Sequence, residues 1–155
     1  MKSITLTKGK LALVDDEDFE HINQFSWYYS NGYAYRPLPR KTRKKPSISM
    51  HRLIMDDPAG KEVDHINGNR LDNRRSNLRI CTKAENRRNL GLRSTNSTGF
   101  KGVCFRKDIK KYQAQITVNS KSVYLGYYPT AQQAAHAYND AAVKYYGEFA
   151  RLNEI

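Results

Sequence analysis

Apolar and polar positions alternate over short stretches through the first 50 residues. Ile4-Thr5-Leu6 and Leu11-Ala12-Leu13-Val14 flank a turn at Gly9, and Trp27-Tyr28-Tyr29 and Gly32-Tyr33-Ala34-Tyr35 are split by Asn31-Gly32. Such runs between turn residues predict strands, and Asn-Gly predicts a tight hairpin. Residues 47–55 are apolar-rich and read as strand or helix by pattern alone. Val63-Asp64-His65-Ile66 is a short strand and Leu78-Arg79-Ile80-Cys81 a second, with a turn at Asn67-Gly68-Asn69 and an Arg- and Asn-rich loop between them. Thr82 and Glu85 have capping-box spacing, so a helix starts there and carries Asn86 in its first turn.

The last third has the clearest pattern. Strands are predicted over 102–106, 112–119 and 123–127, followed by a helix capped by Thr130 with Gln133 and stopped at Gly147. One strand parity, Val103, Phe105, Tyr112, Ala114, Ile116, Val118, Val123 and Leu125, is the expected core. The other, Cys104, Arg106, Gln113, Gln115, Thr117, Asn119, Ser122 and Tyr124, faces out. The helix places Ala131, Ala134, Ala135, Tyr138, Ala141, Ala142 and Tyr145 on one stripe. The fold class is therefore α+β. Composition divides it into a small β-rich N-terminal region (1–50), a central strand–loop–strand–helix region (51–92), a linker (93–98), and a three-stranded antiparallel sheet packed on one helix (99–155).

Charge narrows the function. Of 155 residues, 27 are Lys or Arg and 15 Asp or Glu, a formal net charge of +12, which points to a polyanionic partner. No run is long and apolar enough to span a membrane, and the N-terminus lacks a secretion signal's apolar core. The two cysteines, Cys81 and Cys104, form no metal-binding or disulfide pattern. The expectation is a soluble, cytoplasmic protein that binds nucleic acid and no membrane. The acidic stretch Asp15-Asp16-Glu17-Asp18 reads as a solubilising patch, and the basic stretch 36–45 as an exposed arm. Within that arm, Arg43, Lys44 and Lys45 are expected to touch a nucleic-acid backbone.

Asp64, His65 and Asn86 carry candidate chemistry. If the helix folds back across the hairpin, the three converge on one cleft. A carboxylate and an amide oxygen suit a hard divalent ion, and a neutral imidazole beside it can take a proton from water. That set suits hydrolysis of a phosphodiester.

The runs His51-Arg52-Leu53-Ile54, Val63 to Asn69, Asn73 to Arg79 and Glu85-Asn86-Arg87-Arg88-Asn89 resemble the His-Asn-His (HNH) nuclease family, most closely its phage and intron homing branch. The resemblance implies a ββα-metal fold in the central region. It makes His65 the general base, Asp64 and Asn86 the ligands of one Mg2+ or Mn2+ ion, and Asn77 a brace of the loop. Asn86 stands where many members have a final His. No zinc-ribbon cysteine pairs accompany the motif, so no structural zinc is expected. His51 reads equally as a site-supporting residue and as a structural histidine; His21 and His136 read as structural. Arg70, Arg74, Arg75, Arg79, Arg87, Arg88 and Arg93 lie around the motif and read as phosphate clamps, with a charged surface as the plainer alternative.

The third region, with Gly102-Val103, Lys111 to Ile116, Tyr124-Leu125-Gly126-Tyr127-Tyr128 and the alanine-rich helix, resembles the Apetala and ethylene-response-factor DNA-binding domain. The resemblance implies major-groove contacts from outward strand residues, here Arg106, Gln113, Gln115, Thr117 and Tyr124. Cys104, Thr117 and Ser122 stand where the plant factors have Arg, which implies a different sequence preference. The combined expectation is a metal-dependent endonuclease acting on double-stranded DNA. One active site per chain suits a nicking monomer, with a dimer as the route to a double-strand break. The competing readings are a non-catalytic DNA-binding regulator with a degenerate nuclease fold, and a protein that binds or cuts RNA.

Overall fold

β1 (Lys2–Thr5) and β2 (Leu11–Val14) form an antiparallel hairpin, with Ile4 opposite Ala12. The computed structural model describes residues 1–39, 46–92 and 94–155, so Arg43, Lys44, Lys45 and Arg93 lie outside the described residues. The chain divides into two compact units, residues 1–86 and 87–155.

In the first unit the hairpin leads into α1 (Asp16–Asn23). Its first turn holds Asp16, Glu17 and Asp18, where negative charge complements the helix dipole. The acidic stretch read as a solubilising patch thus begins a helix. It is also an anchor, because Asp15 accepts from the Arg75 amide at 2.8 Å and Asp18 pairs with the Arg75 guanidinium. β3 (Tyr28–Ser30), β4 (Tyr33–Pro37) and β5 (Ser47–Ser49) make a three-stranded antiparallel sheet in that order. The turn at Asn31-Gly32 takes positive φ at both residues, the geometry that Asn-Gly favours. The ambiguous stretch 47–55 is both things in turn: β5, then the short helix α2 (Met50–Ile54).

β6 (Glu62–His65) pairs antiparallel with β7 (Leu78–Cys81), and α3 (Lys83–Arg88) follows. The Thr82–Glu85 box is closed in both directions: the Glu85 carboxylate accepts from the Thr82 amide at 2.7 Å, and Thr82 Oγ1 accepts from the Glu85 amide at 3.2 Å. One apolar core joins Ile4, Leu6, Val14, Ile22, Trp27 and Ala34 to Met50, Ile54, Val63 and Leu78. A boundary at residue 50 therefore has no counterpart in the packing, since neither side encloses a core alone. β2 is also tied directly to the loop before β7, through Leu13 N to the Leu71 carbonyl and Asn73 N to the Leu13 carbonyl, both 2.8 Å.

The second unit holds β8 (Val103–Arg106), β9 (Lys111–Val118) and β10 (Lys121–Tyr128), antiparallel with β9 central, and α4 (Ala131–Tyr146). Thr130 Oγ1 caps α4 by accepting from Gln133 N. Ala134, Ala135, Tyr138, Ala141 and Ala142 are buried as the stripe predicts, but it ends on Tyr146, with Tyr145 exposed. Gly102 is obligatory: a Cβ there would lie 2.0 Å from the Tyr138 ring, at a φ of +76°. A bulge between Tyr124 and Gly126 shifts the register, so Tyr127 lies opposite Gln113 and is exposed beside Tyr124. Phe105, expected inside, is exposed against Tyr112. Much of the expected linker belongs to this unit. Asn96 Oδ1 accepts from the amides of Thr98 and Gly99, and Thr98 Oγ1 donates to the Val103 carbonyl.

Candidate active site

The loop between β6 and β7 is built from asparagines. Asn67 Oδ1 accepts from Asn69 N and Asn69 Oδ1 from Leu71 N, each side chain closing a turn on its own backbone. Asn77 spans the loop, accepting from Asn67 N at 3.0 Å and donating to the Asp72 carbonyl at 2.8 Å. Asp72, almost fully buried, takes both the Arg74 guanidinium and the Asn67 amide. Those donors hold its carboxyl below the usual 3.8.

His65, at the end of β6, is 4% exposed. Its Nε2 lies 3.2 Å from Asn73 Oδ1. Asn73 is itself fixed, since its Nδ2 donates to the Leu71 carbonyl. That orientation turns the amide oxygen to the imidazole, so Nε2 carries the hydrogen and Nδ1 is the basic nitrogen. Burial pushes the His65 pKa down, the opposing influences being the Asn73 hydrogen bond and the charges of Asp64 and Asp72; the Arg70 charge also lowers it. The ring therefore rests unprotonated near neutral pH.

His51, on α2, packs edge-on against His65 with ring centroids 4.9 Å apart, and its Nε2 lies 3.2 Å from Ser49 Oγ. Burial first, then neighbouring His65 and Arg52, push it down to about 3. Tyr33 completes this cluster, 5.2 Å from the His51 ring and 6.0 Å from that of His65. The Arg70 guanidinium carbon lies over the Tyr33 ring, 4.7 Å from its centroid.

Asp64 sits opposite Arg79 across the strand pair, and the guanidinium gives two donors to its Oδ2, at 3.0 and 2.8 Å. Both side chains are largely buried. Asn86 lines a cavity of about 290 Å³ together with His51, Tyr33, Ser49, Glu62 and Val63; Asp64 and His65 are not in its wall. The structure thus brings His51 and His65 together, and His51 and Asn86 onto one cavity, while the Asp64 carboxylate is turned to Arg79. Among the described residues no group of three or more His, Cys, Asp or Glu side chains is arranged to hold a metal. By donor type a carboxylate and an amide oxygen suit a hard ion that keeps most of its water, but here the Asp64 carboxylate is occupied by Arg79. Cys81, its thiol pushed up to about 11 by burial, supplies no thiolate.

The arginines divide sharply. Arg74 pairs with Asp72, Arg75 with Asp18 and Arg79 with Asp64, so three of the expected clamps hold the fold together. Arg88 lies over the Tyr146 ring at 5.1 Å, and Arg87 is exposed. In the second unit Arg106 contacts Asp108 and Gln113 Oε1, and Gln115 Oε1 accepts from Ser122 Oγ. Thr117 and Tyr124 are exposed on this strand face.

Comparison with known proteins bears on the whole chain and most directly on the stretch around His65. A family model described as HNH endonuclease matches residues 57–88, the span from Asp57 through α3. An uncharacterised HNH endonuclease of Acanthamoeba polyphaga mimivirus is 32% identical over 155 residues, covering 96% of this chain and 77% of that protein. The chain belongs to the HNH endonuclease family. This HNH endonuclease is also 33% identical over 64 residues to Protein 3.8 of Escherichia phage T7, an alignment covering 41% of this chain and 53% of that protein. No solved structure matches. Asn73 and Tyr33, which frame His65, escaped the reading of the HNH endonuclease's sequence. Asn73 lay within the quoted motif without a role, and Tyr33 lies 32 residues before His65, where only the fold reveals contact.

Proposed function

We propose that this HNH endonuclease hydrolyses phosphodiester bonds of double-stranded DNA, one strand at a time, with His65 as general base. The observation that carries the reading is the placement of buried His65 with its Nε2 3.2 Å from the oriented Asn73 Oδ1, which supports a neutral ring whose Nδ1 is the nitrogen able to take a proton from water. Attack by a water oxygen on phosphorus passes the water proton to His65 Nδ1 and breaks the bond to the 3′ oxygen, which takes its proton from a second solvent water. The products are a 5′-phosphate and a 3′-hydroxyl. Asp64 and Asn86 would hold one Mg2+ or Mn2+ ion. When bound, such an ion neutralises charge on the phosphate and leaving oxygen. Asn77 keeps the loop in register. The polar face of β8–β10, with Arg106, Gln113, Gln115, Thr117 and Tyr124, serves as a DNA-docking module of the Apetala type.

A binding-only role is favoured by one feature, the Arg79 guanidinium that already neutralises Asp64. One experiment separates the readings. Purified protein is incubated with supercoiled plasmid and with RNA, with and without Mg2+ or Mn2+. Metal-dependent nicking of plasmid that disappears in His65→Ala supports the nuclease. Binding without cleavage under every metal condition supports the regulator, and cleavage confined to RNA overturns the choice of DNA.

A further inference from the structure

Four arginines lie between residues 70 and 79, and three are committed to carboxylates: Arg74 to Asp72, Arg75 to Asp18 and Arg79 to Asp64. Arg70 is different. Among the described residues it has no carboxylate partner; it donates from Nη1 to the Asn31 carbonyl at 3.2 Å and lies on the face of Tyr33. Gly32 leaves room for it, since a Cβ at that position would meet Arg70 Cδ at 3.2 Å and Nη1 at 3.3 Å. The β3–β4 turn and the first tyrosine of β4 thus hold a guanidinium in place through a carbonyl and a ring, neither of which neutralises its charge. The same Tyr33 ring touches His65 and His51. Arg70 is exposed, so a polyanion can reach it. A guanidinium is permanently charged and offers paired donors that match phosphate oxygens.

We propose that Arg70, presented on the ring of Tyr33, grips a non-bridging oxygen of the scissile phosphate beside His65. This rests on the nuclease reading above and deepens it by assigning the residue that meets the phosphate. It separates Arg70 from its neighbours, whose charges are used in folding. The turn at Asn31-Gly32 becomes part of the active site, although it lies more than thirty residues before His65. Because charge builds on the phosphate oxygens during displacement, a donor fixed there acts on the rate more than on docking.

The test uses the full chain. Single-turnover nicking of supercoiled plasmid in Mg2+ or Mn2+, plasmid affinity without divalent ion, and thermal unfolding are measured for Arg70→Met, Arg70→Lys, Tyr33→Phe and Tyr33→Leu, with His65→Ala as reference. Arg70→Met should lose about 10²–10³-fold in nicking rate, the range for removing one fixed donor to a developing charge, with affinity changed less than about tenfold. Arg70→Lys should recover part of the rate. Tyr33→Phe, which keeps the ring, should lose less than Tyr33→Leu, and Tyr33→Leu should fall between wild type and Arg70→Met. Should Arg70→Met unfold, the Arg70→Lys and Tyr33 variants decide by the same comparison. Wild-type nicking by Arg70→Met, or a rate loss fully matched by lost affinity, overturns the assignment while the nuclease reading stands. A wild-type protein that cuts no better than His65→Ala overturns both.

Discussion

Asp64 and Arg79 face each other with side chains only 8% and 13% exposed. Removing one partner of such a pair strands the other charge away from water, at a cost of about 3–5 kcal/mol. Arg79→Met should therefore lower the urea midpoint by a matching amount, while Asp64→Asn combined with Arg79→Met should recover much of the loss. If Asp64 binds a divalent ion, Mg2+ should raise the stability of Arg79→Met more than that of wild type. A second expectation concerns His51, whose pKa falls from 6.5 when unfolded to about 3 when folded. Below about 6.5 the unfolded chain takes up a proton that the folded one refuses, so stability drops as pH falls from there towards 3. Urea midpoints between pH 7.5 and 4 should show this slope, and His51→Gln should flatten it. At this scale the resemblance to the HNH family singled out Asp64, His65, Asn77 and Asn86 as candidates. It did not expose Asn73 or Tyr33, because a hydrogen-bond orienter and a ring platform have no spacing signature. Nor did it reveal which arginines would find carboxylates.

Whole elements were most legible where one periodicity governs a long run. The strands of the second unit and α4 lie within a few residues of their predicted limits, and the Thr130 cap is in place. Thr130→Ala should cost about 1 kcal/mol, seen as a lower melting temperature. Gly102→Ala should be far worse, about 3 kcal/mol or more, because it combines overpacking against Tyr138 with an unfavourable positive φ. Departures from the pattern have local causes. The bulge near Gly126 moves Tyr127 onto the polar face, and the last turn of α4 places Tyr146, whose hydroxyl donates to the Thr117 carbonyl, under the sheet in place of Tyr145. In the first unit α1 was missed because its acidic first turn looks like a surface patch until Arg75 is seen between Asp15 and Asp18. α2 was ambiguous because five residues are too few to show a helical period.

For the molecule as a whole, a net charge of +12 implies DNA binding that weakens steeply as salt rises. If the β8–β10 face docks on DNA, Arg106→Gln should weaken plasmid binding and reduce the slope of log affinity against log salt by about one. Tyr124→Ala and Gln115→Ala should change sequence preference with little effect on that slope; unchanged binding in all three would assign docking elsewhere. The partition into regions was the least legible level. Composition changes near residue 50, yet the packing ignores that change, since Trp27 and Ile22 share a core with Val63 and Leu78. That shared interior constrains anyone wishing to transplant the cutting machinery into a different scaffold. A fragment starting at the family motif would leave Val63 and Leu78 uncovered and would discard the tyrosine behind the histidines. The smallest portable cassette is therefore the entire stretch through the end of α3 at Arg88, and shorter grafts should yield insoluble material.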